Sequence, residues 1–212
     1  MNSNSGRDRR FALPRGPAAF GALSALALVA VLSWLTAAGE DLAQARIESE
    51  RAAQRALVAE SELAAAQHEL TRVRSILAWS EAYGIPADLA SAIHRAAVAE
   101  GLEPELGLRL VQHESGFRQG AVSPLGAIGY TQLLPSTAMW LDPDVTESRL
   151  YDRDTNLRLG FRYLKQLMDR YDSNPRLALL AYNRGPAVVS ARISRGEDPG
   201  NGFARRVLGA AE

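Results

Sequence analysis

From Ala18 to Ala38 the chain runs 21 residues without a charge, and this stretch restricts the possible folds more than any other feature. Its most apolar part is Leu26-Ala27-Leu28-Val29-Ala30-Val31-Leu32, closing with Trp34-Leu35. A helix needs about 20 apolar residues to cross the core of a bilayer. Inside hydrocarbon each backbone N–H and C=O must find its partner within the segment, so a single span has to be helical. Residues 1–17 carry Arg7, Arg9, Arg10 and Arg15 against Asp8. That bias predicts a cytoplasmic tail, with 18–38 as a single-pass inner-membrane anchor and everything after it on the periplasmic, cell-wall side. A cleaved signal peptide is the competing reading, with Thr36-Ala37-Ala38 as a small-residue cleavage site. The apolar run exceeds the usual signal core of about 7–15 residues, which favours the retained anchor. A buried helix of a soluble domain fits less well, because the run has no polar face.

The texture then changes. Leu42, Ser49, Ala56, Leu63, Leu70 and Leu77 recur every seven residues, and Ala45, Ala52, Ala59, Ala66, Val73 and Ser80 follow each by three. This is an a/d heptad pattern over residues 40–80, with Glu, Arg and Gln between and no Pro or Gly inside. It predicts one long coiled-coil-like helix, a stalk of about 60 Å for 40 residues at 1.5 Å each. Ala and Ser bury little area at a seam. A homodimer through the stalk and a lone solvated helix therefore both remain open.

Composition narrows the rest. The 212 residues carry 24 Lys+Arg against 24 Asp+Glu, so the formal net charge is zero and no basic footprint points to nucleic acid. There is no cysteine, which excludes disulfides, thiolate metal sites, Cys nucleophiles and a lipid anchor on an N-terminal Cys. Tyr83-Gly84-Ile85-Pro86 closes the stalk. Residues 85–212 then read as helices separated by turns, at 87–100, 104–115, 136–140, 155–171, 175–183 and 187–195, with no sustained alternation that would make strands. The expectation is an all-α domain behind an anchor and a stalk.

Within that domain Glu103-Pro104 opens a helix, with Pro at the first helical position. Leu110 and Val111 lie four and three residues before Glu114, which puts Glu114 on the apolar face of this helix. Ser115-Gly116 ends the helix, so Glu114 also sits in its last turn. Burial and the negative end of the helix dipole both disfavour a carboxylate and raise its pKa. That is the requirement for a general acid near neutral pH. An acid at a helix end is more often simply solvated, so periodicity alone does not decide its role.

Further motifs surround it in the sequence. Residues 121–138 form a turn-rich loop with Gly126 and Gly129, followed by Pro135 as a helix opener. Glycines there permit close approach of backbone to a ligand, and Ser123 and Gln132 supply neutral hydrogen-bonding groups. An apolar helix then ends at Tyr182-Asn183 before Gly185-Pro186.

Together these pieces resemble the lytic transglycosylases of the soluble, goose-lysozyme-like (SLT) type. The similarity is carried by Glu114-Ser115-Gly116-Phe117, by Ala121 to Gly129, by Gln132-Leu133, and by Pro135-Ser136-Thr137-Ala138. Asn156, Gly160, Tyr163-Leu164, Ala181-Tyr182-Asn183 and Gly185-Pro186 continue it in order, so that it spans about residues 88–208. The resemblance implies a lysozyme-like helical domain. It implies cleavage of the β-1,4 bond between N-acetylmuramic acid and N-acetylglucosamine in peptidoglycan glycan strands, leaving a 1,6-anhydromuramic acid end. Glu114 would be the catalytic acid and base, Ser123, Gln132 and Tyr182 would surround the sugar, and Asn183 would support its loop. The chain departs from the family pattern at Tyr130-Thr131, where Leu-Met is usual, at Leu134, where Met is common, and at Arg184, where a small residue is usual.

No Asp or Glu lies between Glu114 and Asp142. Ordinary glycosidases pair two carboxylates across the bond, whereas an intramolecular hydroxyl nucleophile needs no second one. Asp152 or Asp154 could still approach through the fold. Two other readings therefore stay beside the first: a muramidase that uses water, and a non-catalytic envelope scaffold that binds glycan. No cofactor or metal is expected. His113-Glu114 begins a zinc motif but Phe117 stands where its second His belongs. Asp152, Asp154 and Asn156 begin a calcium loop but Leu157 replaces its Gly. Asp154 or Thr155 reads instead as a helix N-cap.

Overall fold

A computed structural model describes the backbone of residues 17–209 and side chains from Ser24 onward. The tail read at 1–17 lies outside the described residues apart from Pro17. The first element, α1, is one helix of 67 residues, Pro17–Tyr83. Two compact units divide the chain, the first ending at Gln67 and the second beginning at His68.

The first unit is helical throughout its described part. Its segment from Ser24 is long and apolar enough to cross a membrane, and none of that apolar window is buried. Leu26, Leu28, Val29, Val31, Leu32, Trp34 and Leu35 all stand exposed, as do the seam residues Leu42 and Leu63.

The second unit takes in the end of α1. Ile76 is buried, and Trp79 and Tyr83 pack against the same core; Ile76 and Trp79 lie inside the 40–80 stretch, one residue before its seam positions Leu77 and Ser80. Gly84 adopts φ +61° and ends the helix. The Ile85 N–H then donates to the Ser80 carbonyl at 3.1 Å. The remaining elements are α2 (Ala87–Ala99), α3 (Pro104–Ser115), α4 (Pro135–Leu141), a 3-10 turn (Glu147–Tyr151), α5 (Arg153–Arg170), α6 (Pro175–Arg184), α7 (Pro186–Ser194) and α8 (Phe203–Leu208). Pro opens α3, α4, α6 and α7, where its missing N–H leaves no bond unmade.

α5 and α6 form the centre. Leu157, Phe161 and Leu164 of α5, and Ala178, Leu179 and Ala181 of α6, are wholly buried. Ile93 and Ala97 of α2 and Leu108, Leu110 and Val111 of α3 pack into the same core. Side chains of α2 and α5 press onto the α3 backbone at Gly107, where an added Cβ would lie 3.0 Å from the Phe161 ring and 3.1 Å from Ala97 Cβ. A smaller cluster of Ile128, Leu133, Ala138, Leu150 and Leu159 lies under the 121–133 loop. The only strand-like pairing among the described residues is a pair of isolated bridges, Val122 with Ile128 and Ile128 with Leu133.

Six helices of the second unit fall where hydrophobic spacing and turn residues put them, within two residues at each end. Two short elements were not expected, the 3-10 turn and α8. α8 shows only one apolar turn in sequence, Phe203 to Val207, both buried. The N-cap of α5 is also corrected. Asp152, rather than Asp154 or Thr155, accepts from the Thr155 N–H at 2.9 Å and the Thr155 hydroxyl at 2.7 Å, because the helix begins at Arg153.

Candidate active site

Helix α3 delivers Glu114. Its neighbours on that face, Leu110 and Val111, are 0% exposed. Gly116 then turns the chain away in the left-handed conformation at φ +57°, which leaves Glu114 half-buried at the helix end. Burial pushes its carboxyl up to about 7, so the acid keeps its proton far above the ordinary carboxylate range.

Glu114 lines a groove of about 490 Å³, and Ser123, Gln132, Tyr182 and Asn183 line the same groove. The structure thus brings together all five residues that the sequence pointed to. Each is held differently. Ser123 closes a tight turn: its hydroxyl oxygen accepts from the Ala127 N–H at 3.0 Å, so the hydroxyl hydrogen remains to donate. Gln132 has φ +48°, an uncommon conformation for a residue with a side chain. Its amide nitrogen donates to the Ala121 and Gly129 carbonyls, both at 3.1 Å. The side-chain carbonyl is left as an acceptor. The Tyr182 hydroxyl donates to the Thr131 carbonyl at 2.9 Å. Burial, reinforced by the field of Glu114, holds that phenol well above its ordinary value. Asn183 is more a tie than a wall, since its side-chain oxygen accepts from Asn201 at 2.7 Å and links α6 to the 198–202 loop.

The loop itself rests on buried polar side chains whose role was not assigned from sequence. Asn156 of α5 is 1% exposed and Thr131 is fully buried. The Asn156 carbonyl accepts from the Thr131 N–H and hydroxyl, both at 2.9 Å. Its amide donates to the Ile128 carbonyl at 2.9 Å and the Leu150 carbonyl at 3.0 Å. Gly129 and Gly160 make room for this arrangement: an added Cβ would collide with Asn156 at the first and with Thr131 at the second. From the other side, Ser115 donates to the Tyr130 carbonyl at 2.8 Å. Tyr163 also went unassigned. It lines the groove and tilts against Tyr182, with 5.3 Å between ring centroids.

Among the residues lining the groove Glu114 is the only carboxylate and Arg184 the only cation. Asp152 and Asp154 line a separate hollow with Asp88 and Arg153. They do not reach Glu114's groove. Such an arrangement can deliver one proton near neutral pH and take it back. It offers no second acid for a paired mechanism.

Scaffold and site define an all-α, lysozyme-like domain built around a single proton-holding carboxyl. The chain belongs to the Transglycosylase SLT domain family, which matches residues 91–201. It is similar to the soluble lytic murein transglycosylase of Salmonella typhimurium, at 32% identity over 88 residues that make up 39% of this chain and 14% of that protein. It is also similar to membrane-bound lytic murein transglycosylase C of Actinobacillus pleuropneumoniae, at 34% identity over 111 residues, 46% of this chain and 30% of that protein. The chain therefore spans less than a third of the length of these curated relatives. Among solved structures, an inactive mutant of lytic transglycosylase Slt from Pseudomonas aeruginosa superposes with a TM-score of 0.50 at 27% identity, covering 55% of this chain and 22% of that one.

Proposed function

We propose that this chain is a membrane-tethered lytic transglycosylase that cleaves peptidoglycan glycan strands, with Glu114 as its one catalytic acid and base. The observation that carries the reading is the half-buried Glu114 carboxyl, raised to about 7, in a groove with no second carboxylate. Glu114 donates its proton to the β-1,4 glycosidic oxygen, and the C1–O bond of the muramoyl residue breaks. The C6 hydroxyl of the same residue then attacks C1 and gives its proton to the Glu114 carboxylate. The products are a 1,6-anhydromuramoyl end and a free N-acetylglucosamine hydroxyl, and no water is consumed. Holding both reacting groups on one sugar ring supplies the effective concentration that a second protein carboxylate would otherwise have to provide. Ser123 and Gln132 offer a donor and an acceptor to the sugar, and Tyr182 with Tyr163 forms its aromatic wall. The similarity to lytic murein transglycosylases supports this chemistry.

The apolar segment from Ser24 supports retention in the inner membrane with the catalytic unit on the cell-wall side. The heptads support a spacer, and the exposed Leu42 and Leu63 leave a seam for a second copy. Deleting part of the stalk should reduce function in cells while digestion of isolated sacculi persists. Loss of digestion as well would end the spacer reading.

Digestion of purified sacculi by the full chain, wild type against Glu114→Gln, followed by mass spectrometry of the released muropeptides, tests the reaction. Anhydro ends are expected from the wild type and none from the variant. Ends heavier by one water would establish a muramidase. Activity in the variant would take the acid's role away from Glu114, and an unchanged cell phenotype with an inactive variant would favour a scaffold. The rate should fall as pH rises through about 7, where Glu114 loses its proton.

A further inference from the structure

A second hollow of about 330 Å³ shares Thr137, Tyr163 and Pro186 with the Glu114 groove, so the two adjoin at these residues. The second hollow is lined further by Trp140, Gln166 and Arg170. Trp140 is 67% exposed. It projects from α4, the helix opened by Pro135 just after the Gln132 loop and anchored by the fully buried Ala138. The indole stands beside this hollow, and the C–H face of a pyranose ring is apolar enough to stack on it. Arg170 closes α5, where the helix dipole favours a cation, and its guanidinium lies 6.0 Å from the centroid of the Tyr171 ring.

We infer that Trp140 and Arg170 form an accessory saccharide subsite, in which Trp140 carries a ring of the glycan strand beyond those held at Glu114 and Arg170 meets a carboxylate of its peptide stem. This rests on the glycan reading above. Two features single out a continuing strand as the occupant. The hollow shares three wall residues with the acid's own groove, and the charge at Arg170 is opposite to that of a stem carboxylate. Trp140 is then a specificity residue for chain length, and Arg170 one for stem-bearing strands.

The test is binding, so that it does not depend on turnover. The full chain carrying Glu114→Gln is titrated calorimetrically, with and without Trp140→Ala, Trp140→Phe or Arg170→Gln. The probes are a disaccharide, long strands with stems, and long strands stripped of stems. Trp140→Ala should weaken long strands about tenfold, equivalent to about 1.4 kcal/mol, without changing the disaccharide, and Trp140→Phe should restore most of the loss. Arg170→Gln should weaken only strands with stems. Equal affinities for Trp140→Ala and its parent, or equal losses on short and long probes, would overturn the subsite. Failure of every glycan to bind would overturn it too. So would loss of self-association in Trp140→Ala with glycan affinity intact, which would assign the hollow to a second copy. Wild-type digestion run in parallel reports separately on the transglycosylase reading.

Discussion

Glu114→Gln should make the protein more stable, and only at neutral and alkaline pH. The carboxyl titrates at 4.5 when unfolded and at about 7 when folded, the shift coming from burial. Below 4.5 both states are protonated and the acid costs nothing. Between 4.5 and about 7 the unfolded chain ionises while the folded one does not, so stability drains away as pH rises. Above about 7 both states are ionised and the loss is complete. At about 1.4 kcal/mol for each tenfold change in proton affinity, the full loss is about 3 kcal/mol, a large share of the roughly 5–15 kcal/mol that holds a domain together. Glutamine keeps the shape without the charge and escapes the loss. Urea unfolding of wild type and variant at pH 4, 6 and 8, followed by circular dichroism, should show their stability difference shifting in the variant's favour by about 2–3 kcal/mol between the extremes. A difference that stays flat across that range would mean that Glu114 is solvated, and the acid would have no physical basis for holding its proton.

Asn156→Ala leaves the Thr131 N–H and the Leu150 carbonyl without their partner. At about 1–3 kcal/mol for each buried unsatisfied group the two should cost about 2–6 kcal/mol, read from denaturant midpoints, with loss of sacculus digestion alongside. Gly160→Ala drives a methyl into Thr131 and should cost about 1–3 kcal/mol by overpacking, visible as a lowered Tm, whereas alanine at the open Gly120 should change little. A fragment beginning at His68 keeps Ile76 and Trp79 in the core. One beginning at Glu81 loses both and should be less stable by about 3–5 kcal/mol, given roughly 1.5–3 kcal/mol for each large apolar side chain buried. Equal melting of the two fragments would show that the end of α1 contributes nothing.

Helix positions and the apolar side of Glu114 were legible in the sequence because each depends on local rules, whereas Ser123, Gln132, Tyr182 and Asn183 were reached through the resemblance to the SLT family. Pro at a first turn, Gly at a last one, and apolar spacing of three and four fix α3 and the side on which Glu114 emerges. What supports the groove was not legible in the same way. Asn156 and Thr131 are 25 residues apart, and nothing at either position announces a buried pairing. Thr131 even looked like a departure, since Met is usual there, yet its hydroxyl is bonded to Asn156 rather than turned to the ligand. The packing of the end of α1 was not legible for a related reason. Ile76, Trp79 and Tyr83 reach the core of the second unit, while a heptad pattern cannot tell a partner helix from a neighbouring domain. Whether Asp152 or Asp154 approached Glu114 was a question of tertiary placement, and α5 carries them to a different hollow.

Ser115 grips the carbonyl of Tyr130, and the next carbonyl, that of Thr131, holds the hydroxyl of Tyr182. The helix of Glu114, the 121–133 loop and the Tyr182 wall are thereby pinned to one another through two adjacent residues, with Asn156 fastened underneath. A cleft braced in this way is a fixed notch, since none of the three can yield without pulling on the others. Whatever give the groove has is then left to its lip, where Leu125, 87% exposed, and Arg184 stand outside the bracing.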